Sequence, residues 1–595
     1  MNLALKGENI LVDACIGSGK TTVIQALCNE FPLDKKILYL TYNRLLKVDA
    51  KSKIINKNVF VQNYHGFSYW LLIKEGVISS SADAIKIFLT TDIPVGIYDV
   101  LLLDEYQDIT DEISRLLERI KRENPKIQIV AVGDMEQKIY DNTRLNVKDF
   151  IDKFLESYKN AYLTLSFRMP KEHASMLGRI WKKEINGVNE NCQIQYMKPD
   201  EVNEFLSRQK PSDILCLGAR WEISDTLNYL EENHNKIFNK RTVYASIKDD
   251  ERNLNPKKNS AIFTTYDSSK GLERPICVIF SFELSYWEMR LGKNETNYEI
   301  LRNIFCVAAS RGKEKIIFVT QDKKILLDEN TLKNGDKSSK ISKLYSMSTM
   351  FDHKYDDDIE NMRQMLDVKE IYTEDKSEIK VKTNDFLINL APCIGIFLEA
   401  SYFNDFQIEN EIKLSIKTIE NGYFSEKYKN FISEKYKNFI KERKSIKDLT
   451  LFKVYLDTRQ ERYITQAFPD FIDDNAINKM HKRLSEVLSK NETVQANCSL
   501  CFANGANDFT MNVIGIADVV KNNIVYELKF VNDLTNSHFL QTASYMLALN
   551  LDTGILWNIR NNKMYQIKIK NREDFRTKLA QTITKGYYEN ENEDN

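Results

Sequence analysis

The stretch from residue 8 to residue 30 constrains this chain more than any other. An apolar run, ENILVDA, ends in the turn CIGSGKTT and opens directly into VIQALCNE. A short apolar strand, a glycine-bearing turn and a helix, in that order, read as the first unit of a parallel β-sheet crossed by helices. Gly17 and Gly19 let the backbone approach an anion, and the N–H groups of the turn and of the helix start point at it. Lys20 offers a point charge to β/γ-phosphate oxygens, and the Thr21 hydroxyl can ligate Mg²⁺. Residues 14–21, ACIGSGKT, therefore read as a phosphate-binding loop with Ala14 in place of its first glycine; Ser18 and Thr22 belong to the same cradle.

The pattern repeats. KKILYLTY, VFVQNY, DVLLLDE and IQIVAVGD are short apolar runs separated by helical stretches. After residue 160 come AYLTLSF, DILCLGA, TVYAS, SAIFTTY, ICVIFSF and KIIFVTQ. A chain of 595 residues exceeds one core, and about three or four domains are expected. The runs place one α/β domain at 1–155 and a second at 156–322. Residues 323–385 are charged and poor in strand signals, and read as a helical linker. Residues 386–595 read as an α+β domain, with helices to about 490 and then CSLCFAN, DFTMNVIGIADVV, NIVYELKFV, GILWNI and KMYQIKI. SEKYKNFI at 425–432 recurs at 433–440, a duplication that lengthens a helix with Tyr, Phe and Ile on one side.

Composition excludes some classes. Hydrophobic residues make up 43% and charged residues 28%, as in a soluble globular protein, and no apolar run is long enough for a transmembrane helix. MNLALKGENILVDA lacks the order of a signal peptide. Nine scattered cysteines suit free thiols in a reducing cytoplasm. A net charge of −1 leaves nucleic-acid binding to local basic patches.

LLLDEYQD at 101–108 is a strand ending in carboxylates. Asp104 can hold Mg²⁺ on the Thr21 side, and Glu105 can orient and deprotonate an attacking water. DEYQD in this position resembles the superfamily 1, UvrD/Rep-like helicases, and further segments resemble that family in its order. ILYLTYNRLL (37–46) resembles motif Ia, and VQNYHGF (61–67) the Tyr-His segment after it. VGDMEQKIY (132–140) resembles motif III, which makes Gln137 the γ-phosphate sensor. LSFRMP (165–170) resembles motif IV, with Phe167 stacked on adenine and Arg168 reaching the γ-phosphate. TYDSSKGLE (265–273) resembles motif V, with Glu273 near the nucleotide, and RNIFCVAASRGK (302–313) resembles motif VI, with Arg311 an arginine finger from the second domain. The resemblance implies two RecA-like parallel-sheet motor domains that use ATP.

The chain also departs from that pattern. The family's adenine-reading Gln segment has no counterpart in the residues before the first strand, which leaves nucleotide choice open. Asp267 stands where motif V usually has His, and Asn142 where a base-stacking Trp often follows motif III. Base stacking then falls to Tyr42, Tyr64, His65 or Tyr140. Short intervals between His65 and DEYQD, and between Arg168 and Thr265, leave little room for large accessory insertions. A stripped-down motor, either a weak unwinder or a single-strand translocase, is expected.

IGIADVV (514–520) and IVYELKF (524–530) carry a second chemistry. Asp518 ends one strand, and Glu527 and Lys529 share a face of the next. Two carboxylates can share a Mg²⁺, and a neighbouring lysine can activate water or stabilise the scissile phosphate. The arrangement resembles the PD-(D/E)xK nuclease core. HFLQTASYMLAL (538–549) is similar to the Gln-x-x-x-Tyr helix of RecB- and Cas4-like members, giving Gln541 and Tyr545 contacts to nucleic acid. FQIENEIKL (406–414) supplies the helix-borne acid, Glu409 or, second, Glu411. Mg²⁺ is the expected ion, with Mn²⁺ an alternative at this site. Cys498 and Cys501 form a lone CxxC with no cysteine beyond, so an iron–sulfur cluster is not expected.

These readings converge on an ATP-dependent DNA helicase or translocase fused to a metal-dependent nuclease. Its expected substrate is single-stranded or forked DNA, with a partner protein subunit also compatible, and its expected role is antiviral defence or the processing of broken ends. A nucleotide-gated switch whose C-terminal domain binds rather than cuts, or a subunit of a recombination complex, is the alternative.

Overall fold

The computed structural model describes residues 1–42, 44–77, 83–218, 220–246, 256–280, 298–320, 342–352, 354–421, 426–504, 509–586 and 588. They form two compact units: residues 1–195 with 298–316, and residues 196–280 with 317–320 and 342 onward.

The first unit is built on six parallel strands, β1 (Ile10–Ala14), β2 (Ile37–Thr41), β3 (Val59–Asn63), β4 (Val100–Asp104), β5 (Gln128–Gly133) and β6 (Lys159–Leu163), in the order β3-β2-β4-β5-β1-β6. Every residue of β2 and β4 is buried, as a sheet covered on both faces requires. Helix Asp111–Glu123 shows the complementary period: Thr110 caps it, and Ile113, Leu116, Leu117 and Ile120 face the core. The loop after β1 and the carboxylates after β4 leave the same edge of the sheet with β5 between them, the edge where open α/β sheets bind ligands. A short parallel pair, β7 (Leu165–Ser166) and β8 (Asn186–Gly187), follows. AYLTLSF thus supplies β6, which pairs with β1, and the expected boundary at 155/156 falls inside this unit.

In the second unit the strands are β9 (Gln193–Met197), β10 (Ile214–Leu217), β11 (Val243–Ala245), β12 (Ala261–Thr264), β13 (Arg274–Phe280) and β14 (Gly312–Val319). Their order is β11-β12-β10-β13-β14-β9, with β9 and β14 running across the division between the units. The second parallel sheet is the one expected, although residues 281–282 of ICVIFSF and 321 of KIIFVTQ lie outside the described residues.

The C-terminal sheet is mixed. Its strands are β15 (Ser342–Ser346), β16 (Leu366–Ile371), β19 (Thr493–Asn504), β20 (Phe509–Lys521), β21 (Ile524–Lys529), β22 (Thr553–Asn558) and β23 (Lys563–Ile569); a separate pair, β17 (Asn384–Asp385) and β18 (Ile388–Asn389), lies between. The order is β15-β20-β21-β22-β23-β16, with β19 also on β20. One core packs helices Ala391–Tyr402, Ile446–Thr458 and Asp474–Val487 on this sheet, and another packs helices Asp356–Gln364, Asn536–Ala548 and Arg572–Ile583. Here the expectation of a helical linker over 323–385 is corrected for its described part: β15, helix Asp356–Gln364 and β16 join this sheet, while residues 323–341 lie outside the described residues. The charges that hid them belong to edge positions, where charged side chains discourage further pairing. Residues 426–440 of the duplicated segment form one helix, Glu426–Glu442, which buries Ile432 and Tyr436; Ser425 lies outside the described residues.

Candidate functional site

The turn after β1 is shaped by two left-handed glycines, Gly17 (φ 74°) and Gly19 (φ 79°). A Cβ on Gly17 would come within 2.7 Å of the Arg168 Cβ and 2.8 Å of Ser166 Oγ, so the motif IV segment closes directly on the loop. Phe167 N donates to Gly17 O at 3.0 Å. The Phe167 ring is 64% exposed, free to lie against a base, and Arg168 Nη1 approaches Ser310 O at 3.5 Å. Ser18 Oγ and Ser166 Oγ are buried with no hydrogen-bond partner, two donors left facing the loop.

Lys20 is buried and its Nζ lies 3.7 Å from Glu105 Oε2. Asp104 is fully buried at the end of β4. Its Oδ2 accepts from Tyr39 at 2.9 Å and from Thr21 at 3.4 Å, while Oδ1 has no partner among the described residues. Burial, then the charge of Glu105, pushes its pKa up to about 7, against the opposing pull of Tyr39 and Lys20. An orphaned carboxylate oxygen beside a threonine hydroxyl fits a hard divalent cation. Glu105 takes a left-handed backbone (φ 55°), and Gln107 Nε2 donates to its Oε2. The same Gln107 accepts from Asp134 N through Oε1 at 3.0 Å, tying the DEYQD turn to motif III.

Gln137, buried, donates to Asp134 Oδ2 at 2.6 Å. Lys183 bridges Asp134 at 2.7 Å, Asp13 at 2.6 Å and Glu136 at 3.0 Å. These three acids gather within 4.8 Å of one another, but the Lys183 ammonium already fills the place a metal would take. Arg311 is buried, and its Nε donates to Val307 O at 3.0 Å. It directly precedes β14, a strand of the second parallel sheet. Glu273 lies in the second unit, just before β13.

The candidate base-stacking aromatics separate. Tyr64 is 1% exposed in the core with no hydroxyl partner, so it has no face to offer a base, which corrects that reading. Tyr42 and Tyr140 are half-buried, and His65 is 39% exposed, 3.8 Å from Glu112. Burial holds the His65 pKa below its ordinary value.

The second centre lies where two strands part. The β20–β21 ladder ends at the pair Val519↔Tyr526, and Asp518 Oδ2 accepts the next free amide, Leu528 N, at 2.7 Å. Glu527 is 1% exposed; its Oε1 takes Lys529 Nζ at 2.6 Å and its Oε2 has no partner among the described residues. Burial, then Glu527 and Glu399, lifts the Asp518 pKa well above the carboxylate range. Burial works against the charge of Lys529, yet Glu527 and Asp518 hold its pKa above the ordinary value. Gln541 and Tyr545, expected to contact nucleic acid, bond each other at 2.9 Å and are 6% and 3% exposed, with Tyr545 in the field of Glu527 and Asp518.

The helix-borne acid that stands in the field of both Asp518 and Glu527 is Glu399, with Glu411 in turn within the field of Glu399. Glu409 is exposed on helix Ile408–Asn421. Glu399, on helix Ala391–Tyr402, accepts from Gln495 Nε2, and burial, then the charges of the cluster, brings its pKa up to about 8. The signal was a single acid in the apolar helix APCIGIFLEASY. Glu399 and Asp518 stand within the field of Glu527, one oxygen of which has no hydrogen-bond partner among the described residues; hard oxygens of this kind suit a divalent cation, although the three acids do not close to within 4.8 Å of one another. Cys498 and Cys501 are free thiols on β19.

Residues 1–143 match the family described as AAA domain, and residues 505–570 match the PD-(D/E)XK nuclease superfamily. The chain thus joins a helicase-like parallel-sheet region to a C-terminal domain of the PD-(D/E)XK nuclease superfamily. No curated protein matches it. Among solved structures it is similar to the Arterivirus nonstructural protein 10 helicase in complex with DNA, at 12% identity over 56% of this chain and 65% of that one (TM-score 0.30). It is also similar to the PRRSV helicase, at 9% over 55% of each chain (TM-score 0.28), and to S. cerevisiae dbp5 bound to nup159, gle1, ip6 and adp, at 11% over 55% and 83% (TM-score 0.32). The chain spans less than two thirds of the two viral helicases' own lengths. Among the described residues no helix is long and apolar enough to cross a membrane.

Proposed function

We propose that this protein is an ATP-driven DNA translocase or weak helicase coupled to a metal-dependent DNA nuclease. One observation carries the reading: each end of the chain has a buried carboxylate beside a lysine with one oxygen unpartnered, Asp104 Oδ1 near Lys20 and Glu527 Oε2 beside Lys529. Such oxygens are costly to bury unless a cation meets them.

At the first centre Lys20 and the loop amides bind the phosphates, and Thr21 with Asp104 holds the cation. Glu105, steadied by Gln107, orients the water; Gln137, Arg168 and Arg311 answer charge on the γ-phosphate, and Phe167 meets the base. Asp518, Glu527 and Glu399 would hold the nuclease cation, which when bound polarises the phosphate and lowers the pKa of water. Lys529 stabilises the developing negative charge. Mg²⁺ suits both sets, and Mn²⁺ the second. Tyr42, Tyr140 and His65 line the strand path. The setting we infer is the cytoplasm, and the role restriction of invading DNA rather than end processing, because a short motor fused to its own nuclease needs no accessory domains.

Purified protein incubated with single-stranded, duplex and forked DNA, with and without ATP and Mg²⁺, tests this. Glu105→Gln is expected to abolish ATP turnover and spare cleavage, and Asp518→Ala the reverse. Normal hydrolysis by the first or normal cutting by the second removes the corresponding assignment.

A further inference from the structure

His538 stands in the first turn of helix Asn536–Ala548 and has no part in the chemistry described above. Its Nδ1 accepts from Thr535 N at 3.0 Å and lies 3.2 Å from Thr535 Oγ1. This is a capping box in which histidine fills the place usually held by Glu or Gln. A ring nitrogen that accepts a backbone N–H bears no proton, so in the neutral ring the proton sits on Nε2. The cap therefore fixes the tautomer and turns a donor outward. Nε2 has no hydrogen-bond partner among the described residues, and the ring is half-buried.

The surroundings define what that donor can meet. His538, Gln541 and Tyr545 lie three and then four residues apart, on one face of the helix. The hydroxyl end of this row, Tyr545, stands within the field of Glu527 and Asp518, and the His538 end within that of Lys529. Burial, then the Lys529 charge, brings the imidazole pKa down to about 4, so the ring stays a neutral donor near pH 7. A neutral N–H within the field of an ammonium, on the helix face that also carries Tyr545 in the field of the carboxylates, suits a phosphodiester: the anionic oxygens need donors, and the carboxylates cannot supply them.

We propose that His538 donates its Nε2–H to a non-bridging oxygen of a backbone phosphate of the bound strand, adjacent to the one that faces Lys529. This rests on the nuclease reading of the C-terminal centre. The plain alternative is that His538 only caps its helix. A glutamate serves the cap equally well but offers no N–H, whereas glutamine offers both.

The test uses the full chain with Ca²⁺ in place of Mg²⁺, so that binding is read without cleavage. Single-stranded oligonucleotides each carry one methylphosphonate, moved stepwise along the strand. For the wild type and His538→Gln, the methylphosphonate at one position is expected to weaken binding about tenfold. In His538→Glu and His538→Ala that position loses its effect while the others keep theirs. The same interference pattern in His538→Glu as in the wild type overturns the proposal and leaves the residue a cap. Cleavage by the wild type in Mg²⁺ is scored separately, so a protein that shows the His538-dependent footprint yet does not cut contradicts the nuclease reading and not this contact.

Discussion

His173 is 3% exposed, and its Nε2 meets the Ala309 carbonyl at 2.7 Å, two residues before Arg311. A carbonyl only accepts, so the bond requires Nε2–H. Burial brings the His173 pKa down to about 4 from 6.5, with the carbonyl pulling the other way. A base whose folded pKa is depressed contributes its full stability above the unfolded value, and that stability is lost as pH falls from 6.5 toward 4. The span corresponds to roughly 3 kcal/mol. The urea midpoint of the unit holding the phosphate loop is therefore expected to fall across that window. His173→Gln, which keeps an N–H donor and cannot titrate, is expected to flatten the fall; an unchanged pH profile in that variant would show that the loss comes from other groups. Nothing near His173 in the chain announced this role. Lys20, Asp104 and Glu105 were legible because phosphate chemistry fixes residue type within a few positions of a strand end. His173 answers a carbonyl more than a hundred residues away.

Which helix delivers an acid to the C-terminal centre is a question of elements. Helix Ile408–Asn421 looked the better source because its first turn carries Glu409 and Glu411, yet its buried face is Ile408, Ile412 and Ile416, which turns Glu409 to solvent. Helix Ala391–Tyr402 is apolar on most sides, and its Glu399 is half-buried in the field of Glu527. Glu399→Gln is expected to lower metal-dependent cleavage by about 100-fold or more, and Glu409→Gln to leave it within about twofold. Cleavage assays over a Mg²⁺ series check this, and equal losses in both variants would void the exchange. The same reasoning explains which elements could be read in advance. β2 and β4 are buried throughout and show as unbroken apolar runs. β16 buries only Leu366 fully, so its LDVKEI reads as charged coil until β23 is seen beside it. Asp518 and Glu527 were legible for the opposite reason: a turn of two residues joins their strands, so sequence distance nearly equals distance in space.

Within the second unit, the parallel sheet and the C-terminal sheet are held by a joint of buried polar groups rather than by a linker. Arg462 is 1% exposed; its Nη2 donates to Glu231 Oε1 and to Val243 O, each at 2.8 Å. Lys240 reaches Asp385 at 2.8 Å and Gln466 O at 2.9 Å, and Asn228 bonds both Arg459 O and Glu461 N. In the proposed motor, a movement of the second parallel sheet would carry the nuclease centre with it. The joint joins residues 145 to 233 positions apart, which is why no local pattern announced it. Its energetics are asymmetric. Nε and Nη1 of Arg462 have no partner among the described residues, so the pair is incompletely satisfied, and its net contribution over an apolar contact is small. Losing one partner is different, because the other charge then stays buried alone. Arg462→Ala is expected to cost about 3–5 kcal/mol in the urea transition of this unit, whereas Arg462→Met with Glu231→Leu recovers most of it. If the single substitution costs under about 1 kcal/mol, a range typical of exposed pairs, water reaches the guanidinium and the two sheets are not rigidly joined.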